Sequence, residues 1–286
     1  MNVLILGATG FVGRHIARAL QAAGHSLVDG PRIDFAQAVT PAHWAPLLGG
    51  VQAVVNAVGV LRDTRRRPIW PIHASAPQAL FEACAQAGVR RVLQVSALGV
   101  DGNETAYARS KRAAEAHLRA LVRQGALDAV ALRPSVVVGP GGASTGLFLG
   151  LARAPWLLLP EPVAQGRVQP VHVNDLAEAC VRLLGSSPGL PGSVDVLDVV
   201  GPEVFTLERL IAHWRAAQGR APARVAQLSA RLSGWSARLG DCVPVSPWGS
   251  ETLALLAQPN TGEVAPLERL LGRPPVSVRQ WPQEAL

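Results

Sequence analysis

Asn2-Val3-Leu4-Ile5-Leu6-Gly7-Ala8-Thr9-Gly10-Phe11-Val12-Gly13 opens the chain and decides its fold. The apolar run from Val3 to Leu6 reads as a buried strand. Three glycines, each three residues from the next, follow it. Apolar residues then return at Val12, Ile16 and Leu20, with small alanines between them and Gly24 as a stop, which is the period of a helix. Gly7 permits a tight exit from the strand, Gly10 lets the backbone approach a pyrophosphate, and Gly13 lets the helix pack close to the sheet. The helix N-terminus offers free N–H groups and the positive end of its dipole to an anion. Strand, glycine turn and helix in this order predict a dinucleotide cradle.

Outward from this stretch the alternation repeats. Ala53 to Asn56 reads as a strand ending in Ala57-Val58-Gly59, and Ala76 to Ala87 as a helix stopped by Gly88. Arg91 to Ser96 is a strand, Glu104 to Arg123 a helix, and Ala129 to Leu132 a strand ending at Arg133-Pro134. Apolar strands alternating with helices predict an α/β fold, a doubly wound parallel sheet covered on both faces. The stretch from His25 to Gly50 is short, so one crossover helix is expected to shrink to a loop around Asp29-Gly30-Pro31. Beyond Pro140 the texture changes, and Gly141-Gly142 and Pro155 to Pro162 read as loop-rich. Val171 to Leu184 returns to strand and helix, with Asn174 or Asp175 as cap, and Ser193 to Val199 reads as a last strand. The division expected is a dinucleotide-binding domain at 1–140, rejoined by 170–200. Residues 141–169 and 201–286 form a small C-terminal substrate lobe.

The chain has one tyrosine, and of its 27 basic side chains one is a lysine. They stand four apart, Tyr107 and Lys111, on one face of the helix. Charge alone is supplied by arginine here. A lysine adds a compact ammonium whose pKa burial can move, and a tyrosine adds a proton that leaves near pH 10. Ser96 ends the preceding strand, so a parallel sheet brings all three to the edge that carries the glycine turn. The phenol would exchange a proton with a carbonyl or alcohol, and the serine would hold the substrate oxygen. The ammonium is expected to lower the tyrosine pKa toward working pH.

Bulk properties narrow the field. At 49% hydrophobic the chain can build a sizeable core and is not disordered. Three scattered cysteines without CxxC spacing read as reduced thiols in a cytoplasmic protein and argue against a metal. Leu147 to Pro160 is too short and too interrupted to cross a bilayer. The net charge of +7 raises nucleic-acid binding, but the arginines are spread along the chain and few aromatics stand near Arg65-Arg66-Arg67, so it is not expected. Arg62 and Arg65 to Arg67 read as a solvated basic loop, with anion capture as the alternative. His172 reads as a strand-end packing or hydrogen-bonding residue, His73 opens a helix from which it could face the cleft but is not assigned to the site, and the tryptophans read as packing. The partner expected is a small-molecule substrate; a homodimer is left open.

Gly7-x-x-Gly10-x-x-Gly13, Asn56-Ala57-Val58-Gly59, Val95-Ser96-Ala97-Leu98-Gly99 and Tyr107-x-x-x-Lys111 resemble the short-chain dehydrogenase/reductase superfamily with its Rossmann fold. The chain is most similar to atypical and extended members of the branch related to the complex I accessory subunit and NmrA-like proteins. The likeness continues through Arg133 to Pro140, Gln169 to Asp175 and Gly201 to Thr206. It implies that Tyr107 is the acid/base, that Lys111 bonds the nicotinamide ribose and that Ser96 assists the substrate oxygen. It implies NAD(P)-dependent oxidoreductase or epimerase-like chemistry; the alternative is a non-catalytic dinucleotide-holding sensor or assembly factor. Gly7, Thr9, Gly10, Phe11, Val12, Gly13, Ala57, Val58, Gly59 and Pro134 join Tyr107 and Lys111 as cofactor contacts. Arg32, with Arg14 adding charge, favours NADP over NAD against Asp29, and Asp34-Phe35 would approach the adenine. Leu147, Phe148, Leu149, Trp156 and Leu157 point to an apolar or amphipathic substrate.

Overall fold

The computed structural model describes residues 1–28, 33–185, 196–242 and 248–281. Its elements run β1 (Asn2–Leu6), α1 (Phe11–Ala22), β2 (Ser26–Leu27), α2 (Pro41–Trp44), β3 (Ala53–Asn56), α3 (Ala76–Gln86), β4 (Arg91–Val95), α4 (Ala106–Arg123) and β5 (Asp128–Pro134). There follow β6 (Val137–Val138), α5 (Ala143–Arg153), β7 (Trp156–Pro160), α6 (Glu161–Gln165), β8 (Arg167–Val168), β9 (Val171–His172), α7 (Val173–Gly185) and β10 (Val196–Val199). The chain continues with β11 (Phe205–Thr206), α8 (Leu207–Ala217), β12 (Arg224–Leu228), α9 (Ala230–Asp241), α10 (Ser250–Leu256) and α11 (Ala265–Leu271).

Six strands form one parallel sheet in the order β2-β1-β3-β4-β5-β10. The doubly wound α/β class read from the sequence is therefore the fold observed. The strand order reverses between β1 and β3, and a cleft opens beyond their C-terminal ends at such a point. Alternation along β1 explains the two layers. Val3 packs with Ile16, Leu20, Leu176 and Leu267 on the α1/α7 side. Leu4 and Leu6 pack with Trp44, Leu80, Phe81 and Leu118 on the α3/α4 side. Burying each such side chain contributes about 1.5–3 kcal/mol before entropy is counted.

The short His25–Gly50 stretch holds no full-length crossover helix among its described residues. The crossover after β2 is reduced to α2 and one following 3-10 turn, Ala45–Leu47, and Trp44 is buried with its indole N–H on the Ala38 carbonyl at 2.9 Å. Asp29, Gly30, Pro31 and Arg32 lie outside the described residues, as do Ser193 to Asp195.

Three readings need correction. Pro155 to Pro162 is not a loop: it holds β7 and the start of α6, because Leu157 and Leu159 alternate into a third core with Phe148, Val168, Leu207 and Trp214. And α11, placed in the lobe by its position after 201, returns to the sheet, where Leu267 and Leu271 join the α1/α7 core. Asp175, expected as a cap, lies inside the first turn of α7 instead. It is fully buried and accepts from Arg273 Nη2 at 2.8 Å and from the Val276 N–H at 2.8 Å, tying the C-terminal segment down.

Candidate active site

The glycine turn is built as a cradle that side chains would fill. Gly7 has φ +83°, and a Cβ there would lie 3.1 Å from the Ala57 carbonyl. A Cβ at Gly13 would lie 2.0 Å from the Gly7 oxygen, so α1 rests directly on the turn. The Gly10 N–H donates to that same oxygen at 2.9 Å. No side chain caps α1 and no acid stands in its first turn, so its leading N–H groups face the β1/β3 cleft uncompensated. Thr9 and Gly10 are exposed there, while Val12 and Ala57 are half-buried against the sheet core. The Phe11 ring packs on the Gly139 and Gly142 backbone and edge-on to His15, away from the turn's N–H groups.

From the cradle a line of contacts leads to the Tyr/Lys pair. Gly7 abuts Ala57 and Val58, and a Cβ on the exposed Gly59 would be 3.5 Å from His73 Nε2 and 3.6 Å from Lys111 Nζ. Lys111 is 4% exposed and donates to the Val95 carbonyl at 3.0 Å, the residue before Ser96. Its Nζ lies 5.9 Å from the Tyr107 ring centroid. Ser96 is 4% exposed, and its Oγ has no hydrogen-bond partner among the described residues. A buried hydroxyl left open is uncommon and calls for a partner. Pro134, buried at the end of β5, accepts from the Leu98 N–H at 2.9 Å and closes the floor behind Ser96. The structure thus brings Ser96, Tyr107, Lys111 and the glycine turn to one rim.

The electrostatics differ from the expectation. Burial pushes the Tyr107 phenol up to about 12, and the ammonium does not offset it. The lysine sits beside the ring and is itself buried, which brings it down to about 8, with Glu115 opposing the shift. Glu115 is fully buried and held by Arg133, Nε to Oε1 at 3.0 Å and Nη2 to Oε2 at 2.5 Å; Asp101 holds the outer side of that guanidinium at 2.6 Å.

Several residues were missed from sequence. His73 is buried in a wide helical turn, Pro71–Ser75, before α3. Its Nε2 accepts from the Val60 N–H at 2.9 Å, which leaves Nδ1–H to face Ser110 Oγ at 3.3 Å. The ring meets Tyr107 edge-on at 5.2 Å, and burial beside Lys111 keeps it neutral, with its pKa down to about 2. Asn56 and Gln94 pair at 2.8 Å, and Gln94 Nε2 shares the Val95 carbonyl with Lys111. Their signal was a lone amide in each of two apolar strands.

Other assigned residues make contacts of their own. Phe35 is in the core against Trp44, and Asp34 caps its own turn, accepting from the Ala36 N–H at 2.9 Å. Arg14 is turned to the Gly141 carbonyl at 2.8 Å, so its charge is committed elsewhere. Arg62 is no free loop residue: it reaches Asp241 at 3.7 Å, whereas Arg65 to Arg67 are exposed. Arg62 also lines a cavity of about 230 Å³ with Asp63, Asp241, Gly249, Glu251 and Thr252. Glu251 accepts from the Ala106 N–H at 3.0 Å, one residue from Tyr107, so this charged cavity adjoins the rim. Among the described residues no cluster of His, Cys, Asp or Glu could hold a metal, and no helix is long and apolar enough to cross a membrane.

The model of the NAD dependent epimerase/dehydratase family matches residues 3–194. The chain belongs to that family. Ceramide reductase of Caulobacter vibrioides (strain NA1000 / CB15N) is 31% identical over 216 residues, 69% of this chain and 64% of that protein. Subunit 9 of the NADH dehydrogenase (ubiquinone) 1 alpha subcomplex, mitochondrial, from Arabidopsis thaliana is 28% identical over 240 residues, 72% and 55% respectively. The chain spans less than two thirds of the length of these two relatives. The structure of MoeE5 in complex with UDP-glucuronic acid and NAD aligns with a TM-score of 0.73 over 97% of this chain and 94% of that one, at 21% identity, a likeness of fold.

Proposed function

We propose that this chain oxidises or reduces an alcohol/carbonyl pair with Ser96, Tyr107 and Lys111. The observation that carries the reading is the buried, unpartnered Ser96 hydroxyl, next in sequence to the carbonyl that anchors the single lysine. The cradle fits a dinucleotide, because its glycines leave the space that a Cβ would fill and α1 leaves its first N–H groups free. Gly7, Thr9, Gly10, Gly13 and the Phe11 and Val12 backbone would hold the pyrophosphate; Ala57 to Gly59, Pro134 and Lys111 would border the nicotinamide end. A nicotinamide dinucleotide, when bound, supplies the hydride acceptor or donor.

The residues do the rest. Ser96 donates to the substrate oxygen and fixes it. The Tyr107 hydroxyl, also without a partner among the described residues, gives or takes the proton at that oxygen. Lys111 holds positive charge close to the phenol. We take the substrate to be amphipathic, since exposed Leu147 is apolar while the cavity beside α4 is charged. Likeness to a ceramide reductase supports a lipid-like alcohol or ketone. We assign NADP(H) as the preferred cofactor on Arg32.

Fluorescence titration with NADH and NADPH, side by side, tests the binding half; tighter NADH binding overturns the NADP(H) assignment. Turnover in Tyr107→Phe tests the chemical half. The variant is expected to keep dinucleotide affinity and lose turnover, and a wild-type rate in it refutes the assignment. Likeness to the complex I subunit favours a second reading, a dinucleotide held for structure. That reading predicts retained binding with no turnover in either form.

A further inference from the structure

Helix α9 carries its apolar stripe outward. Its inner face holds the small residues Ser233 and Ala237, both buried. Leu232, Trp235 and Leu239 follow the three-and-four spacing that aligns side chains on one face, and they are 56%, 69% and 68% exposed. Arg231 and Arg238 flank that stripe on the Trp235 side, both exposed and neither with a carboxylate partner among the described residues. The strand pair against which α9 packs repeats the combination. Trp156 and Leu158 of β7 are 65% and 63% exposed, and the Arg224 guanidinium lies 4.8 Å over the Trp156 ring. Of the acids nearby, Asp241 accepts from Ser250 Oγ at 2.6 Å and Glu208 from Gln227 Nε2 at 3.1 Å, while Glu161 at the start of α6 is exposed with no partner among the described residues.

We propose that this face of the lobe docks on an anionic lipid surface. An outward stripe of this kind marks an interaction site. Tryptophan beside arginine suits the boundary between acyl chains and charged headgroups, where the ring is half buried and the guanidinium meets phosphate. The net charge of +7 adds long-range attraction to such a surface. A second copy of the chain fits less well, since a two-fold contact would set the same unpaired arginines against each other.

The test uses the whole chain and two vesicle preparations, phosphatidylcholine alone and phosphatidylcholine mixed equally with phosphatidylglycerol. Cosedimentation is expected with the mixed vesicles, weakening as salt rises. Each arginine contributes about fivefold, so the double change Arg231→Gln with Arg238→Gln weakens binding about 25-fold. Trp235→Ser with Leu239→Ser weakens it at least about tenfold. All four positions are exposed, so unchanged dinucleotide affinity and circular dichroism show that the fold persists. No sedimentation with mixed vesicles overturns the proposal, as does wild-type binding by either double variant. A concentration-dependent dimer dispersed by Trp235→Ser would assign the face to a second copy and likewise overturn it.

Discussion

Gly13→Ala puts the cradle to the sharpest test. A methyl at this position would stand 2.0 Å from the Gly7 oxygen and 2.6 Å from the Gly7 carbonyl carbon, both backbone atoms. Non-bonded carbon contacts settle at about 3.5–4.0 Å, so α1 must draw back by about 1 Å or more. That retreat strains the 2.9 Å bond from the Gly10 N–H to the Gly7 oxygen and carries the free N–H groups away from the anion position. Overpacking of this kind costs about 1–3 kcal/mol. At the middle of that range the melting temperature of a chain this size falls by about 4–8 °C. Loss of one charge-assisted hydrogen bond weakens the dinucleotide at least about tenfold. Scanning calorimetry reads the first effect and NADPH fluorescence titration the second. Gly24→Ala is the control: φ there is +82° with open space around it, so strain of about 1 kcal/mol lowers stability while the cradle stays intact. Wild-type affinity in Gly13→Ala, or equal loss of affinity in Gly24→Ala, refutes the reasoning.

A chain with one lysine gives a single resonance when its lysine Cε is labelled, and Lys111 is expected to titrate near 8; a midpoint near 10.5 denies the burial. Its folded pKa lies below the unfolded one, so proton uptake opposes folding: the penalty is full below pH 8 and disappears as pH rises past 10.5. The single phenol is read by ultraviolet difference absorbance against Tyr107→Phe, and its ionisation is expected near 12, so this group withdraws stability as pH climbs from 10 to 12; ionisation at or below 10 contradicts the geometry. Glu115→Gln leaves Arg133 with only the exposed end of its pair, costs about 3 kcal/mol by denaturant unfolding, and moves the Lys111 midpoint below 8, because Glu115 opposes its fall. An unmoved Lys111 resonance would show the two groups to be independent.

The sheet was legible because strand and helix periods differ and the chain alternates them cleanly. Gly7, Gly10 and Gly13 announced the cradle, since a backbone that must touch backbone admits no other residue. Tyr107 and Lys111 were found by scarcity and spacing. What failed was long-range. Pro155 to Pro162 looks like a loop until Leu157 and Leu159 find Phe148 and Trp214, which belong to α5 and α8. Trp156 and Trp235 were read as packing residues, yet only contact partners far along the chain decide which tryptophans are covered. The phenol pKa was misjudged because spacing puts the ammonium on the same face of α4 but does not say how deeply both are buried.

Burial also explains why the site keeps a lysine in a chain that otherwise uses arginine. Of the three titratable groups that meet at this rim, His73 is held neutral down to about 2 and Tyr107 neutral up to about 12. Lys111, near 8, is the one whose charge changes close to neutral pH. Guanidinium cannot do this, for it stays charged at every accessible pH, and its planar fork spreads donors over a wider arc than the single Val95 carbonyl offers. The Glu115–Arg133–Asp101 row then acts as a counterweight. Glu115 favours the charged lysine, and Arg133 absorbs enough of that carboxylate's charge that burial still dominates. A lysine on this balance answers to small changes in nearby charge, and two phosphates arriving at the α1 N-terminus are such a change. The phosphates taken alone, as in a reduced dinucleotide, add negative charge and so raise the Lys111 pKa.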